Sequence, residues 1–103
     1  MRVCLRHDVG RHEEYELSVE RDALIFSNER ETLHLNYWDM DRFWFRRFGS
    51  SVVAFVVEMS GMVYEGNFSR AADAKRFTEK LNTVMGDSMD VVFNMNRDRS
   101  LAL

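Results

Sequence analysis

Ser69-Arg-Ala-Ala-Asp-Ala-Lys-Arg-Phe-Thr-Glu-Lys-Leu-Asn-Thr-Val-Met85 has the spacing of a helix with one apolar face. Ala74, Phe77, Leu81 and Val84 recur every three or four residues, while Lys75, Arg76, Glu79, Lys80 and Asn82 take the other side. Ser69 is the expected N-cap, and Gly86 the expected stop. One amphipathic helix must bury its stripe against another element. The sequence before it alternates with a period of two, so that partner is a sheet.

Working back from the helix, Met62–Phe68 and Val52–Met59 read as a hairpin turned by Ser60-Gly61, the second run being almost continuously apolar and β-branched. Phe55, Val57 and Met59 are expected to share one face with Val53, and Met62, Tyr64 and Phe68 one face of the next strand. Thr32–Tyr37 alternates through Leu33, Leu35 and Tyr37, and Ala23–Ser27 precedes it across a turn at Asn28–Glu31. Tyr15, Leu17 and Val19 alternate cleanly with Glu14, Glu16, Ser18 and Glu20, as in a strand with one wet face. Val3 and Leu5 mark a first, weaker strand that Gly10 turns back. The expected class is therefore α+β, mainly β: about seven antiparallel strands in a curved sheet or partly open barrel, capped by one C-terminal helix.

The 103 residues suffice for one modest core and are too few for two ordinary domains. Residues 1–86 are expected to form that domain, and 87–103 a C-terminal tail, docked or flexible. Met89, Val91, Val92, Phe93 and Met95 give the tail apolar character without a period, suited to a partner or to the sheet edge of a second chain, so a homodimer is possible. The net charge of −3 gives no long-range attraction for nucleic acid or an anionic membrane. Cys4 is the only cysteine, which excludes an internal disulfide and fits a reducing, intracellular setting, cytoplasmic or nuclear. No apolar run has the length needed to cross a bilayer.

Strands followed by a C-terminal helix resemble the pleckstrin-homology-like (PH-like) superfold over residues 1–86. The residues that carry the resemblance are Tyr37-Trp-Asp-Met40, similar to the segment several such domains place after their fourth strand, and Phe68–Leu81, in which Phe77 stands where the family helix often has a tryptophan. In spacing the chain is similar to protein-binding members such as the PH domain of the transcription factor IIH core subunit. The resemblance implies phosphoinositide binding, peptide binding along a sheet edge beside the helix, or assembly of larger complexes, and fold alone does not choose among them.

The residues themselves narrow that choice. Lipid-binding members crowd Lys and Arg around the first hairpin, whereas here Arg6 and Arg11 are balanced by Asp8, Glu13 and Glu14 and no Lys-x-Arg pattern occurs. A phosphoinositide module using Arg2, Arg6, Arg11 and Arg21 is therefore the alternative to a non-enzymatic module that binds a protein or peptide. Trp38–Phe48 is unusually aromatic. In an extended conformation Phe43 and Phe45 point one way and Arg42, Trp44 and Arg46 the other, a composition enriched at protein interfaces. Trp38, Arg42, Trp44 and Arg46 are the expected partner-binding residues; the competing expectation is that the tryptophans cover the barrel wall or contact the tail. Stacking of single-stranded nucleic acid on Trp44 and Phe48 is the least favoured option, given Asp39 and Asp41 beside them. Cys4, His7 and His12 lack the further Cys/His pair of a tetrahedral metal site, and no nucleophile–base pair or phosphate-cradling loop occurs. No cofactor is expected, nor an enzyme.

Overall fold

The computed structural model describes residues 1–7 and 11–85. Its strands are β1 (Arg2–His7), β2 (Arg11–Val19), β3 (Ala23–Ser27), β4 (Thr32–Asn36), β5 (Arg42–Phe48), β6 (Ser51–Met59) and β7 (Met62–Phe68), with a 3-10 turn at Tyr37–Asp39 and the helix α1 at Ala71–Met85. All pair antiparallel in one sheet of order β4-β3-β2-β1-β7-β6-β5. The sheet curls into a half-barrel whose two edges are β4 and β5, and α1 packs on its inner face against β6, β2 and β7. The expected class, about seven antiparallel strands capped by one C-terminal helix, is observed. The segments around Gly10 and after Met85 fall outside the described residues, as does the 87–103 tail.

The weakest strand of the sequence pattern is central. β1 lies between β2 and β7, with Val3 and Leu5 fully buried. Inner-face residues Tyr15, Leu17 and Val19 of β2, Leu24 and Phe26 of β3, Leu35 of β4, Phe43 of β5, and Phe55 and Val57 of β6 close around the α1 stripe. Phe77 is 0% exposed and sits at the focus. Its ring centroid lies 4.9 Å from Phe55, 5.3 Å from Phe68, 6.2 Å from Phe45 and 6.5 Å from Phe43. Each such ring pair adds on the order of 1 kcal/mol to the burial of its area. The cluster gains its room from Gly66, because a Cβ there would run into the Phe55 ring.

Three local expectations are corrected. Val53 does not share the buried face of Phe55 and Val57: Arg46 pairs with Ala54 but Arg47 with Val52, so a β-bulge leaves Val53 unpaired and turns it to solvent. The fourth strand ends at Asn36, and Tyr37 opens the 3-10 turn. The helix begins at Ala71, later than a Ser69 cap requires, with the Asp73 and Ala74 N–H groups donating to the Arg70 carbonyl. Asp73, a fully buried carboxylate, takes the organising role, since the Arg70 guanidinium donates to both of its oxygens at 3.3 and 3.4 Å across the first turn. The Ser60-Gly61 turn forms as expected: both residues have positive φ, 52° and 76°, between paired Met59 and Met62.

Phe77→Ala is expected to cost about 3–5 kcal/mol in chemical denaturation of the full chain, Gly66→Ala about 1–3 kcal/mol through overpacking, and Val53→Thr less than about 0.5 kcal/mol. Equal losses for Val53→Thr and Phe77→Ala would contradict the bulge and the packing derived from it.

Candidate functional site

Among the described residues β5 pairs with β6 alone and stands at the end of the sheet. Alternation puts Phe43 and Phe45 inside and Arg42, Trp44 and Arg46 outside, as expected. Phe43 stacks on Phe55 at 5.9 Å, and half-buried Phe45 meets Phe77 edge-on. The β5 edge thus runs beside the helix, its inner side chains already packed against α1.

The outer face carries a second, thinner layer. Ala54 and Val56 are buried although they point away from the main core. Val56 pairs with Trp44 on one side and Glu65 on the other, and Ala54 with Arg46 and Asn67. Glu65 is only 6% exposed, and its carboxylate accepts from two guanidiniums: Arg6 Nη2 at 2.8 Å to Oε1, and Arg46 Nη1 at 2.9 Å to Oε2. Burying a carboxylate requires such pairing. Arg46 therefore leans inward over β6 to reach β7, and half-buried Trp44 stands over Val56. Arg42 is 3.9 Å from Glu58, a loose surface pair. Arg47 lies 5.9 Å from the Phe45 ring centroid, and Phe48 is 83% exposed.

Three of the four expected partner-binding residues, Arg42, Trp44 and Arg46, form one row. Trp38 does not join it. It belongs to the 3-10 turn between the two sheet edges and is 66% exposed. Tyr37 fixes that turn: its side chain is buried, its hydroxyl donates to the Glu20 carbonyl at 2.7 Å, and its N–H donates to the Asp22 carbonyl at 3.1 Å. Burial, with the charges of Glu20 and Asp22 adding, pushes the phenol pKa above its ordinary value of 10.

The alternative arginine set is scattered. Arg6 is committed to Glu65, and Arg2 lies 3.6 Å from Glu14. Arg11 opens β2 and Arg21 lies in the bend beyond its other end at Val19, so the whole strand, roughly 26 Å at a rise of 3.3 Å per residue, stands between them. The mouth near the first hairpin holds Glu13, which the sequence set among the carboxylates there, and Glu31, which it did not. Tyr15 Oη donates to Glu31 at 2.5 Å and lies 3.2 Å from Glu13, which also accepts from Asn28 at 2.9 Å and from Arg30. Asn28 Oδ1 accepts the N–H groups of Arg30 and Glu31, folding the β3–β4 turn over that mouth. His7 meets Tyr64 edge-on at 5.1 Å, and His34 is exposed on β4 opposite Ile25. Among the described residues, no three His, Cys, Asp or Glu side chains gather as a metal site, and no helix is long and apolar enough to cross a membrane.

No family model and no curated protein matches the sequence. A solved structure of similar fold is the inner membrane complex sub-compartment protein 3 from Toxoplasma gondii, with a TM-score of 0.57 and 12% identity over 82% of this chain and 73% of that one. At that identity the likeness concerns the fold. The curled seven-stranded antiparallel sheet and C-terminal helix of this chain are consistent with a PH-like fold.

Two outcomes follow from the ionic contacts. The Arg70 hydrogen bond, its charge and the Arg2 backbone N–H hold the Asp73 carboxyl below its ordinary value of 3.8, against the opposing effect of burial. A depressed folded-state value means that the Asp73 contribution is complete above the ordinary value and lost as pH falls through the folded one. The stability difference between wild type and Asp73→Asn should therefore be full at pH values well above 3.8 and shrink as the pH is taken below it; a difference unchanged on acidification would contradict the assignment. Arg6→Met and Arg46→Met should each cost about 1 kcal/mol, and the double variant more than their sum, about 3 kcal/mol, because Glu65 then stays buried with neither guanidinium. Additive losses in urea titrations would show that the two arginines do not share the carboxylate.

Proposed function

We propose that this chain is a non-enzymatic, intracellular protein-interaction module that captures an extended segment of a protein partner by strand addition along β5. The observation that carries this reading is the place of β5 at the end of the described sheet beside α1, with Arg42, Trp44 and Arg46 in one outward row and Phe48 exposed at its end. An edge offers a ladder of backbone donors and acceptors for affinity, while alternate side chains provide specificity. Trp38, on the turn that leads into this edge, extends the surface beyond the strand. The spacing of the strands and helix, similar to protein-binding PH-like members, points the same way.

A phosphoinositide site gains no support from the geometry. Phosphate recognition needs convergent, available cations, whereas Arg2 and Arg6 face carboxylates, Arg11 and Arg21 have the whole of β2 between them, and the nearby mouth holds Glu13 and Glu31.

Capture of a partner from cell extract by the immobilised full chain should fall at least about tenfold with Trp44→Ala, while the unfolding free energy falls by no more than about 1–2 kcal/mol for a half-buried side chain. Undiminished capture would contradict the β5 surface. In co-sedimentation at low salt, vesicles with phosphoinositide should pellet no more protein than vesicles without it. Lipid-dependent pelleting abolished by Arg6→Glu would replace the protein-binding reading by the membrane one.

A further inference from the structure

We propose that β4 is a second docking edge, independent of β5, and that it takes a basic extended segment of a protein partner by strand addition. The phase of its hydrogen bonds is the first reason. The Tyr37 N–H donates to the Asp22 carbonyl and the Asn28 N–H to the Glu31 carbonyl. In the register that runs between those two bonds, Leu35 opposite Leu24 and Leu33 opposite Phe26 are the hydrogen-bonded pairs. The N–H and C=O groups of Thr32, His34 and Asn36 therefore point away from β3. On the other side of β3, the Glu20 N–H donates to the Ala23 carbonyl, which sets Ala23, Ile25 and Ser27 toward β2 and leaves Leu24 and Phe26 for β4, the same phase. Among the described residues β4 pairs with β3 alone, so its outward groups form a ladder for another strand.

The charges at the two ends of β4 define the occupant. Glu29 and Glu31 stand in the turn before the strand, Asp39 and Asp41 follow it, and all are exposed. Arg30, the cation of that turn, is already paired with Glu13. Glu31 and Asp39 accept from neutral groups, the Tyr15 hydroxyl at 2.5 Å and the Asn36 amide at 3.4 Å, and so keep their charge. Glu20 and Asp22 lie beside the far end and outnumber Arg21 between them. Trp38, 66% exposed in the 3-10 turn next to Asp39, adds a ring face that attracts an ammonium or guanidinium group. Each end of the edge thus favours a lysine or arginine.

The pleat supplies the middle of the pattern. An added strand sends alternate side chains inward beside half-buried Leu33 and buried Leu35, so its two central inward residues, two positions apart, are apolar. The residues opposite Thr32, His34 and Asn36 face solvent and are unrestricted. Charge also decides against the simplest competitor. A second copy pairing antiparallel through the same edge, centred on His34, sets Glu29 of each copy against Asp39 of the other, and like charges destabilise such a pair.

The test is fluorescence anisotropy of labelled peptides with the full chain, each with two alternating valines flanked on both sides by lysine, by glutamine or by glutamate, paired with amide chemical-shift mapping. The lysine peptide should bind at least about tenfold more tightly than the glutamate peptide, weaken as salt rises, and shift the amides of Thr32, His34 and Asn36. Two variants test the two halves of the proposal separately. His34→Pro removes one outward N–H and spares the Leu33 and Leu35 bonds to β3, so it should abolish binding. Glu29→Lys/Asp39→Lys, at exposed positions away from the core, should reverse the preference to the glutamate peptide, and it decides the matter if the proline variant does not fold. Equal affinity for all three peptides, no binding by any, or shifts confined to other strands would each overturn the proposal. So would undiminished binding by a folded His34→Pro variant, or concentration-dependent dimerisation that protects the β4 amides from exchange, which would give the edge to a second copy.

Discussion

The packing of Phe77 into the curl of the sheet is the contact on which the remaining structure depends. Among the described residues β4 and β5 end the sheet without pairing with each other, so no closed ring of strands holds its shape, and it stays curled only if something fills its concave side. Phe77 does so at the point where Phe43, Phe45, Phe55 and Phe68 converge, and Ala74 and Leu81 extend the seal along α1. Gly66 opposite Phe55 shows how tight the fit is, since the ring occupies the space a side chain would need. The same packing sets the position of β5, whose inner aromatics are held against the helix at the end of the described sheet.

A second constraint acts on the outside. Ala54 and Val56 make β6 apolar on both faces, so a cover is needed over the convex surface, and Trp44 with the Arg6–Glu65–Arg46 triad supplies it. These residues therefore stabilise the sheet and shape the surface together. Trp44 is half covering for Val56 and half contact area for a partner, which reconciles the two roles that the aromatic stretch suggested. Arg47 and Phe48, beyond the bulge, are the parts of β5 with the least structural duty.

Much of this fold was legible in the sequence because the strands with one wet face alternate cleanly and the helix has a single stripe. Tyr15, Leu17 and Val19, and Ala74, Phe77 and Leu81, are buried as their spacing predicts. What the pattern concealed comes from contacts distant in sequence. The bulge that exposes Val53 depends on how Arg46 and Arg47 pair across the hairpin. Glu65 sits at an outward position, and only two arginines from β1 and β5 make its burial tolerable. Asp73 outranks Ser69 at the helix start because it is buried beside β1, which no local capping signal reveals. At the candidate surface, alternation correctly set Arg42, Trp44 and Arg46 on one face, but Tyr37 diverted the chain into a 3-10 turn and took Trp38 off the strand. The unbroken apolar run Val52–Val57 was the available signal for the outer cover, since a strand apolar at every position is buried on both faces.

Native-state hydrogen exchange of the full chain, resolved by amide, tests most directly the proposal that β5 is a rigid strand whose outer edge accepts a partner. The amides of β6 and β7 should exchange only through global unfolding, whereas along β5 every second amide, directed away from β6, should exchange orders of magnitude faster than its neighbours. Uniform protection along β5 in the isolated protein would mean that the edge is already covered, and uniform fast exchange that β5 is not held by the aromatic cluster; either result would contradict the account.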